Sequence, residues 1–240
     1  HVSFAYPEAG ENVLTDISFK AKKGQTIAVI GSTGSGKSTL INLIPRYYDV
    51  TKGSVKVDGV DVRDMTQKEL RDKLGYVPQK GVLFSGTIDS NIRYGKPEIT
   101  DAQVKEAAEV AQATEFIDTK PEKYESPVSQ GGTNVSGGQK QRLSIARAIA
   151  KDPEIFIFDD SFSALDFKTD SQLRKALKEY TKDATTVIVA QRISTILGAD
   201  QIIVLDDGHM AGIGTHKELM ANCEVYQQIA RSQLSEEELA

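Results

Sequence analysis

The chain has 240 residues, of which 39% are hydrophobic and 26% are charged. This is an ordinary globular balance with enough length to bury a core in one large domain or two small ones. The formal net charge of −5 argues against a nucleic-acid partner, because proteins that bind nucleic acids present a basic surface. The single cysteine, Cys223, excludes an internal disulfide framework and suits a reducing cytosol.

Short apolar runs that predict β-strands alternate with helical stretches along most of the chain. The predicted strands cover residues 2–6, 17–21, 26–30, 53–57, 74–77, 155–158, 186–189, 201–205 and 209–214. Runs 26–30, 155–158 and 186–189 are almost entirely apolar, as expected for strands buried on both faces of a parallel sheet. Strands 2–6 and 17–21 flank a turn-rich stretch, which predicts an antiparallel pair at the sheet edge. Because a strand is predicted at the very start and no initiator Met is present, we expect the chain to be a piece of a longer polypeptide.

A glycine-rich segment with the sequence GSTGSGKS, residues 31–38, lies between strand 26–30 and a helix predicted over residues 39–45. It fits the phosphate-binding pattern G-x-x-x-x-G-K-[ST] in the strand–loop–helix context that the pattern requires. Glycines let backbone N–H groups point at phosphate oxygens, and the helix start adds positive potential. Lys37 is expected to reach the β- and γ-phosphates and Ser38 to ligate Mg²⁺; a plain glycine turn is the structural alternative. The predicted nucleotide contacts in this segment are Ser32, Thr33, Gly34, Ser35, Gly36, Lys37, Ser38 and Thr39.

The middle of the chain has a different pattern. Residues 100–113 predict an amphipathic helix, with Thr100 as the N-cap and Gln103 three residues later, as in a capping box. Few strand signals occur between residues 86 and 136. We therefore predict a mostly helical insertion into an α/β core.

A second glycine-containing helix start occurs at residues 135–139, with the sequence VSGGQ, before a helix predicted over residues 140–150. Ser136 is a suitable N-cap, and the two glycines expose backbone N–H groups, which makes a second anion site. A single ATP does not need two such sites from one chain. The simplest interpretation is that this site contacts the γ-phosphate of a nucleotide bound to another chain, whereas taken alone the segment would be an ordinary capped helix.

Two further residues are candidates for the nucleotide site. Asp159 ends the buried strand 155–158, and ligands of open α/β sheets bind at the C-terminal ends of strands, so Asp159 is expected to hold Mg²⁺ directly or through water. Tyr6 lies in the first predicted strand, where its ring either stacks on adenine or is an ordinary strand aromatic.

The C-terminal tail is predicted to be helical from residue 216. It ends in an acidic run, residues 235–238, which we interpret as a solvated helix end.

Over nearly its whole length the sequence resembles the ATP-binding cassette (ABC) family. Besides the phosphate loop, Gln79 after Val77-Pro78 matches the family's Q-loop, and residues 136–139 match its signature motif, with Val135 where Leu is usual. Residues 163–166 match the D-loop, and Tyr6 matches the aromatic residue that stacks on adenine.

The resemblance implies an α/β fold of the P-loop NTPase class, with a RecA-like core, an antiparallel β edge and a mostly helical inserted subdomain. The core would comprise residues 1–85 and 146–240, and the subdomain residues 86–145. The implied ligands are ATP and Mg²⁺, with Gln79 sensing the metal and the D-loop crossing a dimer interface. The implied metal ligands are Ser38, Gln79 and Asp159, and the further nucleotide contacts are Tyr6, Ser136, Gly137, Gly138, Gln139 and Asp166.

The resemblance is strongest to the exporter branch. Residues 83–88, followed by Asn91-Ile92, look like the segment that receives the coupling helices of the membrane domain. Phe84 and Ile88 would form an apolar socket there, or alternatively the core of the helical subdomain. The implied partners are a transmembrane domain and a second, homologous ATP-binding domain, and the implied location is the cytoplasmic face of the cell membrane. An importer ATPase subunit and a soluble ABC ATPase are the alternatives.

Two departures from the family pattern affect the chemistry. Asp160 stands where the family has a general-base Glu, and Gln191 stands where it has a switch His; with Gln79 they form the predicted catalytic set. His209 and His216 do not fit the switch motif and are interpreted as surface residues. The chain thus resembles the degenerate-site subunit of a heterodimeric exporter, with slow hydrolysis at its own site, unless Asp160 acts as the base through a water or a shifted backbone.

Overall fold

The computed structural model describes residues 1–235, so residues 236–238 of the acidic run lie outside the described residues. The strands are β1 (Val2–Phe4), β2 (Leu14–Ile17), β3 (Thr26–Gly31), β4 (Lys56–Val57), β5 (Val60–Asp61), β6 (Leu74–Val77), β7 (Gly86–Thr87), β8 (Pro127–Val128), β9 (Ile155–Asp159), β10 (Thr185–Val189), β11 (Gln201–Asp206) and β12 (His209–Gly214). The helices are α1 (Lys37–Asn42), α2 (Gln67–Asp72), α3 (Ile88–Ile92), α4 (Asp101–Val110), α5 (Thr114–Asp118), α6 (Gly137–Ala150), α7 (Phe167–Tyr180), α8 (Ile193–Ile196), α9 (His216–Asn222) and α10 (Glu224–Gln233). The chain divides into a first unit, residues 1–74 with the described residues from 185 onward, and a second unit, Gly75–Ala184.

The first unit is built on a sheet in which the strand order is β12, β11, β3 and β10. Strands β10 and β11 flank β3 and run parallel to it, and β12 is antiparallel to β11. Val29 of β3 pairs with Val189 on one side and Ile203 on the other, and all three side chains are buried. This arrangement confirms the α/β prediction, since parallel strands covered on both faces are apolar throughout.

One face of this sheet carries a compact hydrophobic core. Ile30 and Ile202 pack there with Ile193 of α8, with Tyr226 of α10 and with Cys223, which lies between α9 and α10. The Cys223 thiol is free and buried. Apolar contacts with the sheet strands therefore hold the C-terminal helices to this unit.

The predicted antiparallel pair at the start of the chain forms, but its second strand was placed wrongly. The partner of β1 is β2, Leu14–Ile17, and not residues 17–21, with Val2 opposite Ile17. The pair is also a separate two-stranded sheet and not the edge of the main one. The pairing stops at Ile17 because this residue already lies opposite Val2, the first residue of β1.

The second unit pairs a short stretch of sheet with packed helices. Strands β6 and β9 are neighbours, and α3 and α4 both pack on α6. Helix α4 has the predicted N-cap, because Gln103 N donates to Thr100 Oγ1 and Thr100 N donates to Gln103 Oε1. Two strands of two residues each, β7 and β8, pair in the segment where we expected few strands. The insertion predicted over residues 86–145 falls inside this unit, and its status as a subdomain stays a prediction.

The longest helices of residues 1–235 have 14 residues, and none of the described helices has the length and hydropathy needed to traverse a bilayer.

Candidate functional site

The glycine-rich loop joins β3 to α1 in the predicted order, although α1 begins at Lys37, two residues earlier than expected. Gly36 is the N-cap residue and has a φ of 100°, a conformation that side chains disfavour. Gly31 is required for a different reason: a Cβ there would lie 2.3 Å from the carbonyl oxygen of Leu205. The helix ends at Asn42 and not at residue 45, because the chain turns and Tyr47 N donates to Asn42 O.

The Lys37 ammonium lies over this loop. Its Nζ donates hydrogen bonds to Gly31 O at 2.9 Å and to Ser32 O at 2.7 Å. The side chain thus places a positive charge against the backbone that precedes the helix, and a polyphosphate bound in the loop would meet that charge. The loop and lysine therefore fit the phosphate chain of a nucleotide.

Tyr6 does not lie in the first strand, contrary to prediction, because β1 ends at Phe4. Residues 6–9 form a β-turn in which Ala9 N donates to Tyr6 O. Pro7 is the second residue of this turn, and Glu8, the third, has a φ of 67°, as in a type II turn. The Tyr6 hydroxyl lies 2.8 Å from Thr39 Oγ1. Two residues predicted to contact the same nucleotide are thus brought together.

The second unit brings together the predicted metal and catalytic side chains Gln79, Asp159 and Asp160. The two aspartates follow one another at the end of β9, and each is 9% exposed. Gln79 Nε2 donates to Asp160 Oδ2 at 3.1 Å, and the Tyr76 hydroxyl donates to Asp159 Oδ2 at 3.4 Å. Asp160 has a φ of 47°, a left-handed conformation that aspartate tolerates better than most residues.

These oxygen-bearing side chains fit Mg²⁺, which is usually held by one or two carboxylates together with substrate phosphates. Among residues 1–235, no group of three or more His, Cys, Asp or Glu side chains is arranged so that it could hold a metal ion. The sequence pattern did not predict Tyr76; its position in β6, three residues before Gln79, is the signal that could have identified it.

The predicted second anion site opens α6. Ser136 is the N-cap, and Gln139 N donates to Ser136 Oγ while Ser136 N donates to Gln139 Oε1, both at 3.2 Å. The helix starts at Gly137 and not at residue 140, because both glycines belong to its first turn. Within the described chain, a Cβ added at Gly137 would meet open space. The helix start is therefore capped by its own side chains and open at the first glycine.

Asp166 also has a local structural role as the N-cap of α7. Its carboxylate accepts hydrogen bonds from Thr169 N at 2.9 Å and from Thr169 Oγ1 at 2.6 Å. The side-chain bond from Thr169, with its backbone N–H, holds the pKa of Asp166 below its usual value. The residue is therefore ionised at neutral pH, where a negative charge at a helix start is favourable.

Gln191 follows β10 in the first unit and is anchored from the C-terminal helix. Gln233 Nε2 donates to Gln191 O at 2.7 Å, and Ile193 N donates to Gln233 Oε1 at 2.8 Å. Neither bond was predicted, since residue 233 shows no sequence pattern linking it to this segment. His209 is exposed as expected, but His216 is only half exposed, with Nδ1 2.8 Å from the Tyr226 hydroxyl.

Of the two residues proposed for an apolar socket, only Phe84 is at the surface. Ile88 is fully buried, whereas Phe84 is 39% exposed and stacks on Tyr94 with 4.1 Å between ring centroids. The Arg147 guanidinium lies 5.3 Å and 5.5 Å from these two rings and donates to Asn91 O at 2.8 Å. Burial lowers the pKa of Arg147 to about 10. The sequence pattern singled out neither Tyr94 nor Arg147.

The β3–loop–α1 arrangement with its lysine, in a doubly covered parallel sheet, defines a P-loop NTPase domain. The family assignment follows from comparison: a sequence model of the family described as ABC transporter matches residues 14–163, so the chain belongs to the ABC transporter family. It is an ATP-binding ATPase domain of that family.

Three relatives illustrate the similarity. An ABC transporter ATP-binding protein of Mycobacterium tuberculosis, described as uncharacterized, is 50% identical over 234 residues, which is 96% of this chain and 40% of that protein. A Staphylococcus aureus protein provisionally named a multidrug export ATP-binding/permease protein is 47% identical over 229 residues, covering 95% of this chain and 40% of that protein. The solved structure of a bacterial Atm1-family ABC exporter with ATP bound superposes with a TM-score of 0.93 at 38% identity, covering 98% of this chain and 41% of the other. The chain thus spans about two fifths of the length of the relatives it matches.

Proposed function

We propose that this chain is the motor domain of an ABC exporter, which binds Mg-ATP, dimerises around it and drives export from the cytoplasmic face of the membrane. The observation that carries the proposal is the loop of residues 31–38 with the Lys37 ammonium held against it. The names of the Staphylococcus aureus relative and of the Atm1-family structure support export as the process.

Each predicted ATP contact has a proposed role. Lys37 neutralises the β- and γ-phosphates, the backbone of residues 32–39 donates to phosphate oxygens, and Tyr6 stacks on adenine. Ser38, Gln79 and Asp159 hold Mg²⁺. Mg²⁺ held by these residues would neutralise negative charge on the phosphates.

A second ATP-binding domain would complete the site. We propose that residues 136–139 and Asp166 face the nucleotide of a partner domain, and that the partner is a homologous but different chain. The open first glycine of α6 supports this role, because its backbone N–H can approach an anion from outside the chain.

Hydrolysis at this chain's own site is proposed to be slow. Asp160 is one methylene shorter than Glu, so its carboxylate should miss the attacking water by on the order of 1 Å, and such a displacement can cost ~100-fold in rate. Gln79 donates to this carboxylate, so one of its oxygens is already engaged. Gln191 can donate a hydrogen bond, but it cannot take up a proton as histidine does.

The half-exposed pair of Phe84 and Tyr94, with Arg147 beside it, is the surface we propose for the coupling segment of the transmembrane domain. Ile88 belongs to the core beneath it. Truncating Phe84 should therefore weaken coupling of ATPase activity to transport at nearly unchanged stability. Ile88→Ala should lower the free energy of unfolding by about 2–5 kcal/mol, and equal destabilisation by Phe84→Ala would argue against a docking role.

The assembly can be tested by light scattering on the chain with and without Mg-ATP. Without nucleotide the chain should be monomeric, because phosphate charge holds the sandwich together. Mg-ATP should shift it towards a dimer, weakly if the natural partner is a different chain, and ATP with a chelator is the control. A tight nucleotide-free dimer formed through the phosphate-loop face would contradict the proposal.

A further inference from the structure

Three contacts, one hydrogen bond and two ring contacts, hold Tyr6 in one orientation. Its hydroxyl is bonded to Thr39 Oγ1, and its ring centroid lies 4.9 Å from that of Phe4 and 5.2 Å from that of Tyr48. The ring planes meet at 80° and 89°, the edge-to-face geometry that aromatic pairs prefer. The ring is therefore set by its surroundings and not by the turn alone.

Phe4 and Tyr48, the two aromatic residues that contact Tyr6, differ in how far they are buried. Phe4 is almost fully buried in the core, so burial alone accounts for it. Tyr48 is 40% exposed, and its ring contacts are those with Tyr6 and with Phe4 at 5.5 Å. An aromatic side chain that stays this exposed gains little from burial, so its contact with Tyr6 is the feature to explain.

Thr39 links the ring to the phosphate loop. It is the third residue of α1, the helix that starts at Lys37 directly after the loop. Its own side chain is buried, so the hydroxyl that bonds Tyr6 is fixed in the unit. An aromatic ring that is already oriented loses less conformational freedom when a base stacks on it.

We propose that Tyr48 and Thr39 are positioning residues for adenine recognition, which hold the Tyr6 ring beside the helix that follows the phosphate loop. The inference rests on the proposed function, because it assumes that ATP binds at this loop. It concerns the base only, so binding of the phosphate chain by Lys37 should not depend on Tyr48.

The test is titration of the 240-residue chain with Mg-ATP and, separately, with inorganic tripolyphosphate. Tyr48→Ala should weaken ATP binding by about three- to fivefold, no more than loss of the Tyr6 ring itself, and leave the affinity for tripolyphosphate unchanged within about twofold. Tyr48→Phe keeps the ring and should restore the affinity for ATP. Tyr6→Phe keeps the stacking ring but removes the bond to Thr39, and it should weaken ATP binding by about three- to fivefold. Tyr47→Ala is the matched control, since this neighbouring exposed tyrosine packs under Arg71.

The double variant Tyr6→Ala/Tyr48→Ala decides whether Tyr48 acts through Tyr6. Equal affinities of the double variant and Tyr6→Ala would support the proposal, because a positioning residue has no effect once its target is gone. A further loss in the double variant, or equal losses for ATP and tripolyphosphate, would overturn it. Unchanged ATP binding by both Tyr48→Ala and Tyr6→Phe would overturn it as well. A wild-type chain that bound neither ligand would overturn the proposed function and this inference with it, whereas the other negative outcomes leave the proposed function standing.

Discussion

The phosphate loop and the pair of aspartates at the end of β9 show two ways of building a functional region. The loop is suited to bind phosphate mainly through its backbone N–H groups, and it has glycines at positions where a positive φ or a close contact excludes a side chain. Its one lysine is hydrogen-bonded to the loop backbone. The aspartate region depends on side-chain length and proton affinity, and there this chain carries Asp160 where the family has Glu. Binding through backbone groups tolerates change at neighbouring side chains, whereas one methylene can remove a general base. This difference is the physical basis of our proposal that the chain keeps ATP binding while its own site hydrolyses ATP slowly.

The largest effect should come from comparing the two carboxylates of the proposed heterodimer. Asp160→Asn should change steady-state ATPase activity of the complex by less than about twofold, whereas the matching change in the partner should remove the ~10²–10⁴-fold contribution of a general base. The measurement is phosphate release by each single variant of the co-expressed pair. Loss of turnover on Asp160→Asn alone would identify Asp160 as the general base. The proposal that this chain binds ATP but hydrolyses it slowly would then be wrong.

The next effect concerns the lysine that supplies the loop's charge. Lys37→Ala should weaken Mg-ATP binding by about 10- to 100-fold, because it removes charge-assisted hydrogen bonds to phosphate. Isothermal titration calorimetry gives the affinity. Lys68→Ala is the matched control, since this lysine is highly exposed and pairs with Asp72 on α2. A Lys37 variant that bound ATP as well as the control would show that the loop is misassigned.

The smallest effect should come from the base-stacking ring. Tyr6→Ala removes stacking worth roughly 1 kcal/mol, which is about fivefold in affinity. The same calorimetric titration should therefore rank Lys37→Ala well above Tyr6→Ala. Equal losses of ATP affinity in the two variants would contradict a site in which the phosphate contacts contribute most of the binding free energy.

Local patterns in the sequence determined much of the first layer of structure. Strands 74–77 and 209–214 were predicted with their observed bounds, because each is an apolar or alternating run ended by turn residues. The N-caps at Thr100 and Ser136 were predicted because the signal for an N-cap lies within a few consecutive residues, with Gln103 three residues after Thr100 and two glycines after Ser136. The glycine-rich loop could also be predicted from local sequence, because its whole motif lies within eight consecutive residues.

Only the tertiary structure decided which distant side chains meet. The bond from Gln79 to Asp160, the anchoring of residues 191–193 by Gln233 and the packing of Tyr48 against Tyr6 all join residues far apart in the chain. Such contacts depend on how the elements pack, and no short pattern records them. The same holds for Ile88 and Phe84, which are equally apolar in sequence, yet the packing of α3 buries one and leaves the other half exposed.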